Sequence, residues 1–131
     1  MRLLLDTRLL LWLFGSGGQV NGSLSAAQRT VVEDVGDAVL VSAAPLWEVA
    51  VKVRTGKLRL DVQRLADRSD EAGFGRLPIL DAHLRALATP PFRPEHRDPF
   101  DHLLINQAIA EDLVFLTADR HAARYPVRLL A

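Results

Sequence analysis

Four carboxylates stand where the chain changes from one kind of patterning to another. Asp6 closes the short apolar run Arg2–Leu5, and Asp119 follows Thr117 and Ala118 just beyond the apolar run 113–116. Glu48 falls early in a helical pattern that begins after the apolar run 38–41, and Asp101 lies inside a helical pattern opened by Asp98 and Pro99. Each has an ordinary explanation. Aspartate at a strand-to-helix junction commonly caps the helix, which fits Asp6, Asp98 and Asp119. Glu48 precedes Lys52 at i, i+4 spacing, where a surface ion pair contributes a few tenths of a kcal/mol. Asp101 is harder to explain in this way, because Asp98 already supplies the cap.

If these acids meet, their chemistry changes. Two like charges about 4 Å apart repel by about 4 kcal/mol at an effective dielectric near 20, a serious load for a marginally stable domain. Protonation relieves it, and so does a hard divalent cation bound through oxygen, of which Mg²⁺ takes a few carboxylates and keeps several waters. Water on such an ion is acidified and can attack a phosphodiester while the metal charge steadies the leaving oxygen; two ions about 3.5 to 4 Å apart would divide those tasks.

The elements that must position the acids follow from periodicity. Arg2–Leu5 reads as a buried strand feeding directly into a helix over 9–14, which the glycines from Gly15 onward terminate. Ser23 or Ser25 caps a helix running to about Val35, the Gly36-Asp37 turn leads into a strand over 38–41, and Pro45 sits in the first turn of the Glu48 helix, which Gly56 ends. Asp61 caps a further helix to Glu71, Gly73 and Gly75 break it, a short strand spans 76–80, and Asp81 opens the next helix. The proline-rich segment TPPFRPEHRDP is an irregular connection. A helix from Asp98 to about Asp112, a strand over 113–116, a short helical turn and a last apolar segment over 127–130 complete the chain. Strands alternating with helices of this length indicate one α/β domain, residues 1–131, with a mainly parallel sheet, in which residues just past the strands gather at one edge.

Composition narrows the chemistry. The 16 basic and 16 acidic residues cancel, so nucleic-acid contact requires a local basic patch rather than a general positive field. With no cysteine, disulfides, thiolate metal sites and a cysteine nucleophile are excluded. The apolar run 9–14 is too short to span a bilayer and has no cleavage site after it, so the expectation is a soluble, cytoplasmic protein.

The segments LLLDTRLLLW, VSAAPLWEVAVKVRTGKL, HRDPFDHLLINQA and LVFLTADR, in this order and spacing, resemble those of PIN-domain ribonucleases of the VapC toxin type, from type II toxin-antitoxin systems. The resemblance spans nearly the whole chain. It implies a doubly wound three-layer α/β/α fold, an endoribonuclease dependent on Mg²⁺ or Mn²⁺, a cognate antitoxin that blocks the site, and a homodimer. It carries over Asp6, Glu48, Asp101 and Asp119 as the catalytic, metal-holding acids, with Asp98 as a nearby fifth. Arg8 stands where relatives usually show histidine, and Asn106 where alanine is commoner, which bears on substrate preference and on the surroundings of the acids.

Thr7 and Thr117 adjoin the acids and are expected to hydrogen-bond to them, although turn capping explains both as well. Candidate RNA contacts are Arg97, His96 and His102 around Asp98 and Asp101, and Arg120 and His121 after Asp119. Lys52, Arg54, Lys57 and Arg59 form a basic cluster that could bind phosphate or simply complement a helix dipole. Trp12 and Trp47 are expected in the core or a dimer interface rather than stacked on bases. Two rival readings remain. A catalytically inactive PIN-like interaction module would have no reason to keep the full acidic set. An aspartyl-phosphate enzyme would need a second aspartate where DTR has arginine, and no phosphate-binding glycine loop occurs.

Overall fold

The leucines of β1 (Arg2–Leu5) have no exposed surface at Leu3, Leu4 and Leu5, which is the signature of a parallel strand covered on both faces. This is a computed structural model that describes residues 1–15, 22–34, 38–88 and 98–131. β1 lies at the centre of a five-stranded sheet with β2 (Ala38–Ser42), β3 (Gly75–Leu77), β4 (Val114–Leu116) and β5 (Leu129–Leu130). The order is β3-β2-β1-β4-β5, and every pair is parallel.

Alternation along the strands builds two apolar layers. Leu3 and Leu5 of β1, Val39 and Val41 of β2, and Val114 and Leu116 of β4 face one of them. That layer is filled by α1 (Thr7–Phe14), α2 (Ala26–Glu33), α3 (Ala43–Arg54) and α4 (Val62–Glu71), through residues such as Leu9, Leu10, Val49 and Leu65. Leu4, Leu77 and Phe115 face the other, with Leu103, Leu104, Ile105 and Ala108 of α6 (Pro99–Ala110) and, partly buried, Leu87 of α5 (Asp81–Leu87). The result is the doubly wound α/β/α arrangement with helices on both faces. The chain moves outward from β1 through β2 to β3, then crosses back to β4 on the opposite side of β1. The order therefore reverses between β1 and β4, and a crevice opens at their carboxyl ends.

Local chemistry sets the element ends. Ser25, not Ser23, caps α2, in a reciprocal capping box with Gln28, and α2 stops at Glu33, short of Val35. Ser42 caps α3 by accepting the Ala44 N–H at 3.0 Å, and Asp61 caps α4 as expected. β3 is shorter than the expected 76–80 and starts one residue earlier. Pro78 has no N–H to extend the ladder, and Gly75 joins the strand by pairing with Leu40, whose side chain lies 2.7 Å from where a Cβ would be. β4 begins after Leu113 because Asp112, at φ 54°, turns the chain out of α6. β5 occupies only the end of the expected 127–130 run. Residues 89–97 of the proline-rich connection, with Arg97 and His96, lie outside the described residues, as do Val35, Gly36 and Asp37.

A buried polar chain ties the second layer to the sheet. Ser42 Oγ donates to Gln107 Oε1 at 2.5 Å, Gln107 lies 3.3 Å from His83 Nδ1, and His83 Nε2 meets Glu111 at 3.0 Å. Ser42, Gln107 and His83 have no exposed surface, so the cost of their burial is met by mutual hydrogen bonds. The Ser42–Gln107 bond joins the helix that carries Glu48 to the helix that carries Asp101. Among the described residues no helix is long and apolar enough to cross a membrane.

Candidate active site

Asp6 ends β1 in an extended conformation, and its backbone N–H continues the ladder to the Leu116 carbonyl at 3.0 Å. Its side chain makes no capping hydrogen bond to α1, so the capping explanation fails for this residue. Instead its Oδ2 accepts the Thr117 hydroxyl at 2.7 Å across the β1–β4 switch point. Thr117 Oγ1 in turn accepts the Asp119 N–H at 3.0 Å, while Asp119 caps the 3-10 helix Arg120–Arg124 through the His121 N–H at 2.9 Å.

Glu48 reaches the same place from α3 and is only 6% exposed. Both of its oxygens are engaged: Oε1 accepts the Thr7 hydroxyl at 2.9 Å, and Oε2 pairs with Lys52 at 3.0 Å. The i, i+4 pair expected from the sequence is thus present, but it is turned inward onto a buried carboxylate. Asp98 caps α6 through the Phe100 N–H at 2.9 Å, and Asp101 projects from the first turn that follows.

The electrostatics follow from this crowding. Burial pushes the Asp101 carboxyl up from 3.8 to about 8, aided by the charges of Asp6, Asp98, Asp119 and Glu48. Asp6 is also raised, by burial first. The Thr117 hydroxyl and the Thr7 backbone N–H pull the other way, and the charges of Glu48 and Asp119 add to the rise. Acids from four separate stretches of sequence therefore share one field, and one of them cannot stay ionised at neutral pH without a cation.

Asp6, Glu48, Asp98, Asp101 and Asp119 all line one cavity of about 740 Å³, with Thr7 beside them. Its basic residues are Arg8, Lys52, Arg120, His121 and Arg124. Among the described residues no three His, Asp or Glu side chains are arranged to hold a metal ion between them. The donor set still fits an ion such as Mg²⁺, which usually takes one or two carboxylates and keeps several waters. Asp6 and Asp101, which line the cavity and are both raised, are donors that could hold it.

Of the expected RNA contacts, Arg120, His121 and Lys52 line the cavity, whereas His102 does not: its ring sits 3.1 Å from the Tyr125 hydroxyl. Arg54, Lys57 and Arg59 are exposed outside the cavity. Trp12 packs against the core as expected, but Trp47 is 55% exposed and meets Phe100 edge-on with centroids 4.7 Å apart. Sequence reading did not name Arg8 and Arg124 as lining residues. The available signal was spacing, Arg8 two positions past Asp6 at the start of a helix and Arg124 one helical turn past Arg120.

A sheet whose strand order reverses beside a pocket of acids defines a doubly wound α/β protein with its site at the switch point. The family model for the PIN domain matches residues 3–127, and the chain belongs to that family. It is 36% identical to Ribonuclease VapC16 of Mycobacterium tuberculosis over 58 residues, which are 42% of this chain and 41% of that protein. The fold is similar to that in a crystal structure of VapBC2 from Rickettsia felis bound to a DNA fragment from their promoter, with a TM-score of 0.69 at 15% identity, covering 99% of this chain and 98% of that one. It is also similar to FitAcB from Neisseria gonorrhoeae, with a TM-score of 0.56 at 19% identity, covering 98% and 96% of the two chains.

Proposed function

We propose that this chain is a single PIN domain that acts as a metal-dependent endoribonuclease, the toxin of a toxin-antitoxin pair in the cytoplasm. The observation that carries the reading is the convergence of five carboxylates in one cavity, with Asp101 pushed up to about 8. A fold gains nothing from such repulsion, whereas a cation site needs it. The family, the partial likeness to a VapC ribonuclease and the likeness in fold to a VapBC structure support the ribonuclease and toxin-antitoxin parts.

In this reading Asp6 and Asp101, with Glu48, Asp98 and Asp119, would hold Mg²⁺ or Mn²⁺. The bound ion would supply an acidified water and positive charge for the leaving oxygen of an RNA phosphodiester. Thr117 fixes the rotamer of Asp6 by donating to Oδ2, and its link to the Asp119 N–H couples the ends of β1 and β4. Thr7 and Lys52 hold Glu48 by one oxygen each, which fixes its orientation. Arg120 meets substrate phosphates, while Lys52, the other basic residue expected there, stays on Glu48 beside them. The antitoxin partner blocks this cavity, and the active form is a homodimer.

The test is cleavage of single-stranded and structured RNAs by the purified chain freed of antitoxin. Cutting is expected with Mg²⁺ or Mn²⁺ and is expected to stop on chelation, and Asp6→Asn or Asp101→Asn should abolish it while the fold survives. Either variant cutting at the parent rate would remove the basis for the assignment.

A further inference from the structure

Thr7, Arg8 and Leu11 lie on one face of α1, at i, i+3 and i+4 relations, and that face forms a wall of the acidic cavity. Thr7 and Leu11 are buried, whereas Arg8 is exposed at the mouth. Across the switch point, Arg120 is exposed on the 3-10 helix that follows β4. The cations of this cavity are not equivalent. Lys52 is committed to Glu48, and His121 and Arg124 have interactions of their own. Among the described residues the side chains of Arg8 and Arg120 make no hydrogen bond or ion pair, although five carboxylates line the same cavity. Two uncommitted guanidinium groups therefore line the cavity with the acids, one following the end of β1 and the other the end of β4.

We propose that Arg8 is a phosphate-binding residue for the RNA strand and acts with Arg120, so that the backbone crosses the acids from one guanidinium to the other. The proposal rests on the ribonuclease reading given above. A guanidinium presents a planar fork of donors that matches phosphate oxygens and stays charged at any working pH. A strand laid across an acidic pocket is repelled by it, and cations on both sides of the scissile position offset that repulsion without occupying the metal position. An acidic peptide is the other anion that arginines could take, but it would bring further carboxylates to a cavity already lined by five.

The experiment measures binding of a labelled single-stranded RNA by fluorescence anisotropy in the Asp6→Asn background, which does not cut, over a range of salt concentrations. Arg8→Ala is expected to weaken binding about tenfold at low salt and to reduce the salt slope by about 0.7, the share of one phosphate contact on a single strand. Arg8→Lys should restore the slope while recovering only part of the affinity. Arg64→Ala, on the exposed side of α4 outside the cavity, should change neither. Because Arg8 is exposed and unpaired, its variants should melt with the parent, which separates lost binding from lost fold. Equal affinity and slope for Arg8→Ala and its background would overturn the role of Arg8 alone. Failure of the Asp6→Asn chain to bind RNA at any salt would overturn this role together with the ribonuclease reading. An Arg8→Ala chain that loses the antitoxin but keeps RNA would assign the residue to the protein partner and also overturn the proposal.

Discussion

Replacing Asp101 by asparagine should make the metal-free protein more stable, and by an amount that depends on pH. Asp101 is raised from 3.8 to about 8 by burial and by four neighbouring acids. Between those values the folded chain keeps a proton that the unfolded chain gives up. Every rise in pH across that window therefore lowers the stability of the parent, and the loss is complete once pH passes the folded value. The shift spans about four pH units at 1.36 kcal/mol each, but Asp101 is partly exposed and solvent screens part of the field, so roughly 2–3 kcal/mol is the expected size. Asparagine has nearly the same shape and carries no charge, so it avoids this cost. Thermal unfolding in a chelator should show Asp101→Asn melting above the parent by about 5–12 °C at pH 8.5, with the gap closing toward pH 4. Adding Mg²⁺ should raise the parent far more than the variant. A variant that melts at or below the parent at pH 8.5, or a gap that does not vary with pH, would refute the electrostatic account of the site.

Thr117→Val removes the 2.7 Å bond to Asp6 Oδ2 and the acceptor of the Asp119 N–H. Loss of a partner that orients an ion-holding carboxylate should lower the rate of RNA cleavage about 10- to 100-fold, with a smaller change in KM, as steady-state kinetics would show. Gln107→Leu strands the Ser42 hydroxyl and removes a partner of His83 in the buried chain between β2, α5 and α6. A loss of about 1–3 kcal/mol in urea-induced unfolding is expected, because the polar groups left behind remain buried. Leu104→Ala, at a fully buried position of α6, should cost about 2–5 kcal/mol by the same measurement.

The buried strand β1 was readable because a run such as Leu3-Leu4-Leu5 has no amphipathic period and must be covered on both sides, whereas the strand order was not. Asp98-Pro99 likewise announced the start of α6, since the cap and the missing N–H both belong at a helix N-terminus. Where the reading slipped, tertiary contact decided. Gly75 looked like a breaker but pairs with Leu40 at the start of β3, and Pro78 truncated the strand that hydrophobicity alone would have extended. At the site, Asp6 and Asp119 were legible as residues past the strand ends, with Thr7 and Thr117 beside them, whereas Glu48 and Asp101 come from the first turns of helices. For Glu48 the ion pair and the place in the acid cluster proved compatible, because α3 turns Glu48 inward while Lys52 reaches it from the exposed side. His102, expected beside the substrate, does not line the cavity, whereas Arg8 does. Which face of a short helix lines a cavity depends on how the helix is rotated against its neighbours, and eight or twelve residues of pattern leave that rotation loosely defined.

The central claim, that the acids are gathered to receive a divalent cation, is tested most directly by calorimetric titration of the apo chain with Mn²⁺ in buffers of different ionisation enthalpy. At pH 7 Asp101 keeps its proton in about nine molecules of ten, so binding should release close to one proton per ion, and the release should fade by pH 9. Binding without proton release at pH 7, or equally tight binding by an Asp6→Asn, Asp101→Asn double variant, would contradict it.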